Sequence, residues 1–529
     1  MKKEKAKKVS ATKETMADET SPIEQMFGAI MAVKDLLDSP EHTSGPVVHG
    51  TGALGEENVK RLLAIGCLKE VLDGWYIIRI SPEECGPADW CRAYWHFIVA
   101  YLNDKFGDEW CLSPDCSLDF YSESTLIPDQ LVVRSGKAGG KIVRLPYDSS
   151  ILEVKADVPE NVEKDPKYGV HLYPLHVALL AASKDYYKTH PVEARVCLAM
   201  LTNTVLVNDA ALKMGYPKQA LRVASGLRAI GRGEMADPII GMLQEEGYGT
   251  EEEPFFDGAL KDVIAGNTPV ANRIRLMWKV MRGVVVEAKD YLRYEPHLKS
   301  VEELMGDLAD AFVEESANTI ILDKYEMTAD MIRALSGPSR SKDTSQEKDE
   351  AVLAALGFRL AFDTVRQDIL DSLTGGDSIS RLCARHLEEW NYMLFQPAVR
   401  AGVLTAREYA GYREDPCSSI PGCIHIPFHH DDIGEALYAL SEMLQLEEDP
   451  FVRAVLGHFF LLYIQPFPNG NVETARFIMS SQLVASGYPW ATVYHGLLER
   501  YTDALQTAIM EEDILPFALL VITLINNAE

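Results

Sequence analysis

The sequence predicts a mainly α protein, with a small mixed α/β module near the N-terminus, a helical middle, and a C-terminal helical core bearing a short β flap. Three observations carry this prediction. Apolar residues recur at helical spacing, with charged residues on the opposite faces, through most of the chain after about residue 146. A strand-like run follows the Asp73-Gly74 turn. Near the C-terminus, two apolar segments flank a loop punctuated by Pro, Asn and Gly, QPFPNGNVETAR, from Gln465 to Arg476.

A chain of 529 residues, 47% of them hydrophobic and 25% charged, is long enough for roughly three or four domains. The formal net charge of -28 argues against a general attraction to nucleic acid or anionic lipid. Nine cysteines, scattered and without zinc-site spacing, read as reduced thiols of a cytoplasmic protein. No run approaches the length of apolar residues that crossing a bilayer requires, and the Lys-rich start lacks a signal peptide's apolar core.

Taken in order, residues 1–44 read as a flexible N-terminus and 45–145 as the α/β module. In EENVKRLLAIGCLKEVLDGWYIIRI, helical spacing through Val59, Leu62, Leu63 and Ile65 gives way to a strand, the pattern of a helix and wing. This stretch and the following ADWCRAYWHFIVAYLNDKF resemble the N-terminal segment of AbiEi-type winged-helix antitoxin regulators. The resemblance implies a regulator that touches DNA, but Lys60, Arg61, Lys69 and Arg79 are balanced by Glu56, Glu57, Glu70 and Asp73. Residues 146–300 read as a helical middle domain. Its Arg222, Arg228 and Arg232 are expected on a solvated or salt-bridged surface. A polar tract, SGPSRSKDTSQEKDE (336–350), interrupts residues 301–529.

The loop at 465–476 sits between two helices, and Asn471 is expected to cap the second. The backbone N–H groups from Gly470 to Glu473 then offer a site for an anion at that helix's positive end. QPFPNGNVETARFIMSSQLVASGYPW resembles the signature HPFx(D/E)GNGRxxR of the Fic (filamentation induced by cAMP) domain family. AGYRED (410–415), IHIPFHHDDIGEAL (424–437) and His458 fall where that family has corresponding segments, so the resemblance covers roughly residues 300 to 515.

It implies a Fic-like fold and an enzyme that transfers AMP from ATP, with Mg²⁺, onto a hydroxyl of a protein target. Carried over residue by residue, Gly470, Asn471 and Arg476 stand at phosphate-binding positions, and Ile424, His425 and Ile426 form a flap able to accept an extended peptide. Four positions depart. Gln465 stands in place of the catalytic His, and an amide cannot take a proton near neutral pH. Asn469 replaces the metal-holding acid, Val472 a glycine, and Glu473 an arginine beside the expected triphosphate.

These changes predict a degenerate Fic protein acting as a regulatory or binding module on a protein partner, with ATP and Mg²⁺ weakened by Asn469 and Glu473. The alternatives are a slow or altered adenylyltransferase, and an antitoxin-like transcriptional regulator working through the winged helix. The family's inhibitory helix, (S/T)xxxE(G/N), is expected in TIILDKYEMT, near 316–328, with Asp323 pairing with Arg476. The cluster His429-His430-Asp431-Asp432 reads as a helix cap, and no metal site is expected. No Walker, Rossmann, HExxH or GxSxG pattern points to another enzyme class.

Overall fold

The computed structural model describes residues 22–39, 42, 44–79, 87–251, 268–322, 349–409, 411–414 and 423–527. Helices predominate, as expected. Helix α1 (Pro22–Leu37) precedes a three-stranded antiparallel sheet in the order β1–β3–β2, made of β1 (Val47–His49), β2 (Leu68–Leu72) and β3 (Trp75–Ile78). Helix α2 (Glu56–Ala64) lies between the first two strands, and Ala29, Leu62, Leu68 and Ile78 form a small core. On α2, Lys60 pairs with Glu56 and Arg61 with Glu57, so its charges are balanced within the helix.

Helix α3 (Ala88–Phe106) buries Trp90, Tyr94 and Phe97 in a core shared with a second sheet. That sheet has the order β4–β5–β7–β6, from β4 (Cys111–Leu112), β5 (Gln130–Ser135), β6 (Ile142–Arg144) and β7 (Ser150–Lys155); α4 (Pro114–Tyr121) follows β4. A boundary between residues 145 and 146 would therefore cut a sheet, because β7 pairs in parallel with β5, Leu131 opposite Ile151. Strands continue through β8 (Glu163–Lys164) and β9 (His171–Leu172), so the helical middle starts later than the sequence suggests. The cause is local: SILEVK buries Glu153 beside Ile151 on its inward face, where Lys105 meets the carboxylate, and a buried glutamate hides the apolar alternation of a strand.

Helices α5 (Leu175–Ala181), α6 (Tyr186–Thr189), α7 (Pro191–Met200), α8 (Thr204–Met214), α9 (Pro217–Ala229) and α10 (Gly233–Glu245) share one core. Arg222 donates to the carbonyls of Ala182 and Ser183, and Arg232 to those of Leu198 and Ala199, satisfying the ends of α5 and α7. Arg228 pairs with Asp237, so the three arginines have separate structural partners.

Helix α11 (Pro269–Ala288) was expected in the middle domain but packs into the C-terminal core, its Trp278 stacked on Phe460 with ring centroids 5.5 Å apart. Its first half, Val270 to Trp278, is buried all round, and a helix without a polar face needs partners on every side. The core continues with α12 (Val301–Leu322), α13 (Glu350–Leu373), α14 (Ile379–Arg400), α15 (Ala406–Tyr409), α16 (Ile433–Leu446), α17 (Pro450–Ile464), α18 (Asn471–Val484), α19 (Leu498–Met510) and α20 (Leu515–Asn526). Helix α17 is the buried axis of this core. Helices α13 and α14 touch at Gly357, where an added Cβ would lie 1.8 Å from the carbonyl oxygen of Leu394. Residues 336–348 of the polar tract lie outside the described residues, as do 1–21 of the N-terminus.

Candidate functional site: the loop between α17 and α18

Helix α17 begins at Pro450, with Asp449 accepting from the N–H groups of Phe451 at 2.9 Å and Val452 at 3.3 Å. It ends at Gln465, which is fully buried and takes a left-handed conformation with φ +47°. Such a conformation costs a residue with a Cβ roughly 1–2 kcal/mol. Arg413 offsets the strain: its Nε donates to the Gln465 carbonyl at 2.6 Å, its Nη2 to the carbonyls of Phe428 at 2.7 Å and Ile464 at 3.2 Å. The backbone N–H of Arg413 also donates to the Pro466 carbonyl. One buried guanidinium thus ties the flap, the end of α17 and the loop together.

Asn471 does not cap α18 as the sequence suggested. Gly470, at φ +75°, occupies the cap position and turns the chain, so Asn471 becomes the first helical residue. Its amide reaches back instead: Oδ1 accepts from the Phe467 N–H at 3.0 Å and Nδ2 donates to the Phe467 carbonyl at 2.8 Å. From α14, Asn391 Nδ2 donates to the Asn469 carbonyl at 2.9 Å and to Thr474 Oγ1 at 3.1 Å, while Thr474 Oγ1 donates to the Gly470 carbonyl at 2.7 Å. A Cβ on Gly470 would lie 2.7 Å from Asn391 Nδ2, so α14 itself claims the close approach that glycine permits there. The Asn469 side chain is exposed, Val472 packs partly against the core, and Glu473 is half-buried in the first turn of α18.

Arg476, one turn further on, is 1% exposed. Its Nη1 lies 3.6 Å from Glu315 Oε1 and donates to Thr319 Oγ1 at 3.3 Å; the guanidinium sits 5.1 Å from the Tyr501 ring centroid. Thr319 donates in turn to Glu315 at 3.4 Å, and Trp490 Nε1 donates to the other Glu315 oxygen at 3.4 Å. Burial pushes the Glu315 carboxyl up, more than Arg476, Thr492, Trp490 and Thr319 pull it down. Arg476 moves up as well: burial opposes its charge, but Tyr501, Glu315 and Glu473 outweigh it.

Asp323, expected from sequence to be the partner of Arg476, lies outside the described residues. The carboxylate placed on Arg476 belongs to Glu315, earlier on the same helix. Glu315 and Thr319 stand four residues apart on α12 and so face α18 together. His458, from α17, bonds Tyr501 Oη through Nε2 at 2.9 Å and so supports the ring lying against Arg476. Burial holds its imidazole well below the ordinary pKa.

The flap departs from expectation. Its edge is already paired within the chain: His425 forms an antiparallel bridge to Leu126, and the Ile426 N–H donates to the Thr125 carbonyl at 2.7 Å. His425 and Ile426 are buried and Ile424 partly so. His425 Nε2 lies 3.0 Å from the Tyr463 carbonyl, and Tyr463 Oη accepts from Thr125 Oγ1 at 2.9 Å and from Arg273 Nε at 2.8 Å. The segment that reads as an open strand is held on that edge by the N-terminal half, because its side chains are apolar on both faces and need cover.

In the cluster that follows, Asp432 is not a side-chain cap. It pairs with Lys167, which also meets Glu123 at 2.7 Å, while the His429 ring accepts from the Asp431 N–H at 3.4 Å.

Glu315, Arg413, Asn391 and Thr125 were not singled out from the sequence, whereas Thr319 opens the expected inhibitory-helix motif. Glu315 and Thr319 had a signal, two polar residues at helical spacing on an apolar face. Arg413 lay inside the AGYRED segment. Asn391 and Thr125 act through long-range contacts that no local pattern announces.

The geometry defines the class first: a helical-core protein whose second core helix starts from a glycine-turned loop and presents a buried arginine to a glutamate on a flanking helix. Residues 381–483 match the Fic/DOC family. A relative from Culex quinquefasciatus, Protein adenylyltransferase Fic, is 33% identical over 97 residues, 18% of this chain and 19% of that one. The protein of the same name from Nematostella vectensis is 33% identical over 98 residues, 18% and 22% of the two chains. The chain thus spans about a fifth of the length of these curated relatives. Among solved structures, Fic-1 (residues 134–508) from C. elegans is 14% identical, with 66% of this chain and 94% of that chain covered and a TM-score of 0.33. A Fic domain containing signaling protein from Bacteroides thetaiotaomicron is 16% identical, with 47% and 94% covered and a TM-score of 0.34.

Proposed function

We propose that this Fic domain is a non-transferring module that serves as a regulatory or binding body for a protein partner. The observation that carries the reading is the burial of Arg476 and its commitment to Glu315 and Thr319. A triphosphate there would have to displace a carboxylate from the motif's cation and would meet a second one, Glu473, in the first turn of α18.

The residues present do not fit Mg-ATP. Asn469 offers a neutral carbonyl where a hard divalent cation favours carboxylate, and Asn471 is already spanned across Phe467. Gln465 has no titratable nitrogen, and the loss of a positioned base costs about 10²- to 10⁴-fold in rate. Glu315 acts in this reading as a permanent strut that holds α12 on α18. One edge of the flap is taken by Thr125 and Leu126, so an extended partner segment has only the other edge to add to.

A second reading, a slow adenylyltransferase, is favoured by the identity of Gly470, Asn471 and Arg476 and by the names of the relatives. Calorimetry with ATP and Mg²⁺, followed by radiolabelled AMP transfer in lysate, separates the two. The expected result is no transfer, and no gain from Gln465→His alone. Transfer at ordinary enzymatic rates by the wild-type chain, lost in Arg476→Lys, overturns the proposal.

A further inference from the structure

The turn at the foot of α16 brings His429, His430 and Asp431 together, with one donor atom from each within 4.8 Å of the others. His429 Nδ1 lies 3.3 Å from one Asp431 carboxylate oxygen and His430 Nδ1 lies 3.2 Å from the other. The imidazole rings stand 4.1 Å apart, tilted by 35°. We infer that this turn is a binding site for one borderline-soft divalent transition cation of the zinc class, held by His429, His430 and Asp431.

The argument rests on what else these groups do. The capping role expected of Asp431 and Asp432 is not theirs: Asp432 faces Lys167, and the Asp431 carboxylate is turned to the two imidazoles. His429 Nδ1 accepts from the Asp431 N–H at 3.4 Å, so this nitrogen carries no proton, and a cation would take its lone pair over from that long bond.

Around a tetrahedral cation with ligand bonds of about 2.0–2.2 Å, donors stand about 3.3–3.6 Å apart. Each histidine nitrogen stands near that spacing from one of the two Asp431 oxygens, so the carboxylate has to turn a single oxygen to the cation while the imidazole nitrogens close, and both Asp431 and His430 are exposed enough to rotate. Two imidazoles and a carboxylate suit zinc, cobalt, nickel and copper, and disfavour magnesium and calcium, which take oxygen ligands. Lys167, a cation that acts on His429, is offset by Glu123 and Asp432. Tyr168 packs edge-on against the His429 ring at 5.7 Å and holds its plane. The exposed side of the turn leaves room for water to complete the coordination.

Co(II) titration of the full chain, read by visible absorption and calorimetry, tests the site. The expected result is one Co(II) per chain at micromolar concentration, with ligand-field bands but no thiolate charge-transfer band, displaced by Zn(II) and indifferent to excess Mg²⁺. His430→Ala and Asp431→Asn, both on exposed side chains, should each weaken binding about tenfold or more while leaving the circular dichroism unchanged. A thiolate band, unaltered affinity in both variants, or binding only at millimolar cobalt overturns the inference.

Discussion

Replacing Glu315 with Gln leaves the shape of the α12–α18 contact in place and removes one charge. Arg476 is then a buried cation, 1% exposed, without the carboxylate that contacts it. At the observed 3.6 Å, an effective dielectric constant near 20 gives a gross attraction of about 5 kcal/mol. Breaking a buried pair from one side costs about 3–5 kcal/mol, because the remaining charge keeps its desolvation penalty. Hydrogen exchange of α18, followed by mass spectrometry on the full chain, reads this locally. The slowest amides between Asn471 and Val484 should exchange about 10²- to 10⁴-fold faster in Glu315→Gln. Adding Arg476→Met should recover most of the loss, because the pair then vanishes together. Glu56→Gln is the control: its pair with Lys60, 2.8 Å long, has side chains 71% and 62% exposed. If Glu315→Gln changes exchange no more than this exposed pair, the strut reasoning fails.

Three further outcomes follow from the geometry. Asn471→Ala strands the buried N–H and carbonyl of Phe467 and should cost about 2–4 kcal/mol, measured by urea unfolding of the C-terminal core. Gly357→Ala drives a methyl into the Leu394 carbonyl and should part α13 from α14 at a cost of about 3 kcal/mol or more, whereas Gly434→Ala, with open space at its Cβ, should be close to neutral by the same assay. Burial, aided by Arg413 and Arg273, lowers the His425 imidazole from 6.5 to about 3. The unfolded chain therefore binds that proton first. The His425 contribution is complete above about pH 6.5 and is lost toward pH 3, at up to about 1.4 kcal/mol per pH unit. Stability measured against pH in His425→Asn should lack this one-proton slope, and an unchanged slope refutes the assignment.

The long helices and the loop between α17 and α18 were legible because their signals are local: apolar recurrence at helical spacing, and Pro, Asn and Gly where the chain turns. The departures are also physical. The strand β7 was obscured because a glutamate, Glu153, points inward and finds Lys105. Helix α11 sorted with the C-terminal core because its first half is buried all round, against Val192 and Val196 of α7 on one side and the C-terminal helices on the others. The partner of Arg476 was sought in a motif beginning at Thr319, whereas the folded helix uses Thr319 as the second member of a pair with Glu315. The flap showed an apolar strand but not its neighbour, since Thr125 and Leu126 meet it from far along the chain.

That last contact bears on how the protein can be dissected. A fragment starting at residue 301 would lose the carbonyl that receives the Ile426 amide, along with the Thr125 hydroxyl and the Arg273 guanidinium that converge on Tyr463. Tyr463 stands two positions ahead of Gln465, so the injury would fall on the motif itself. Inactivity of such a piece would report a torn seam, and only the intact polypeptide can speak for the chemistry of the loop.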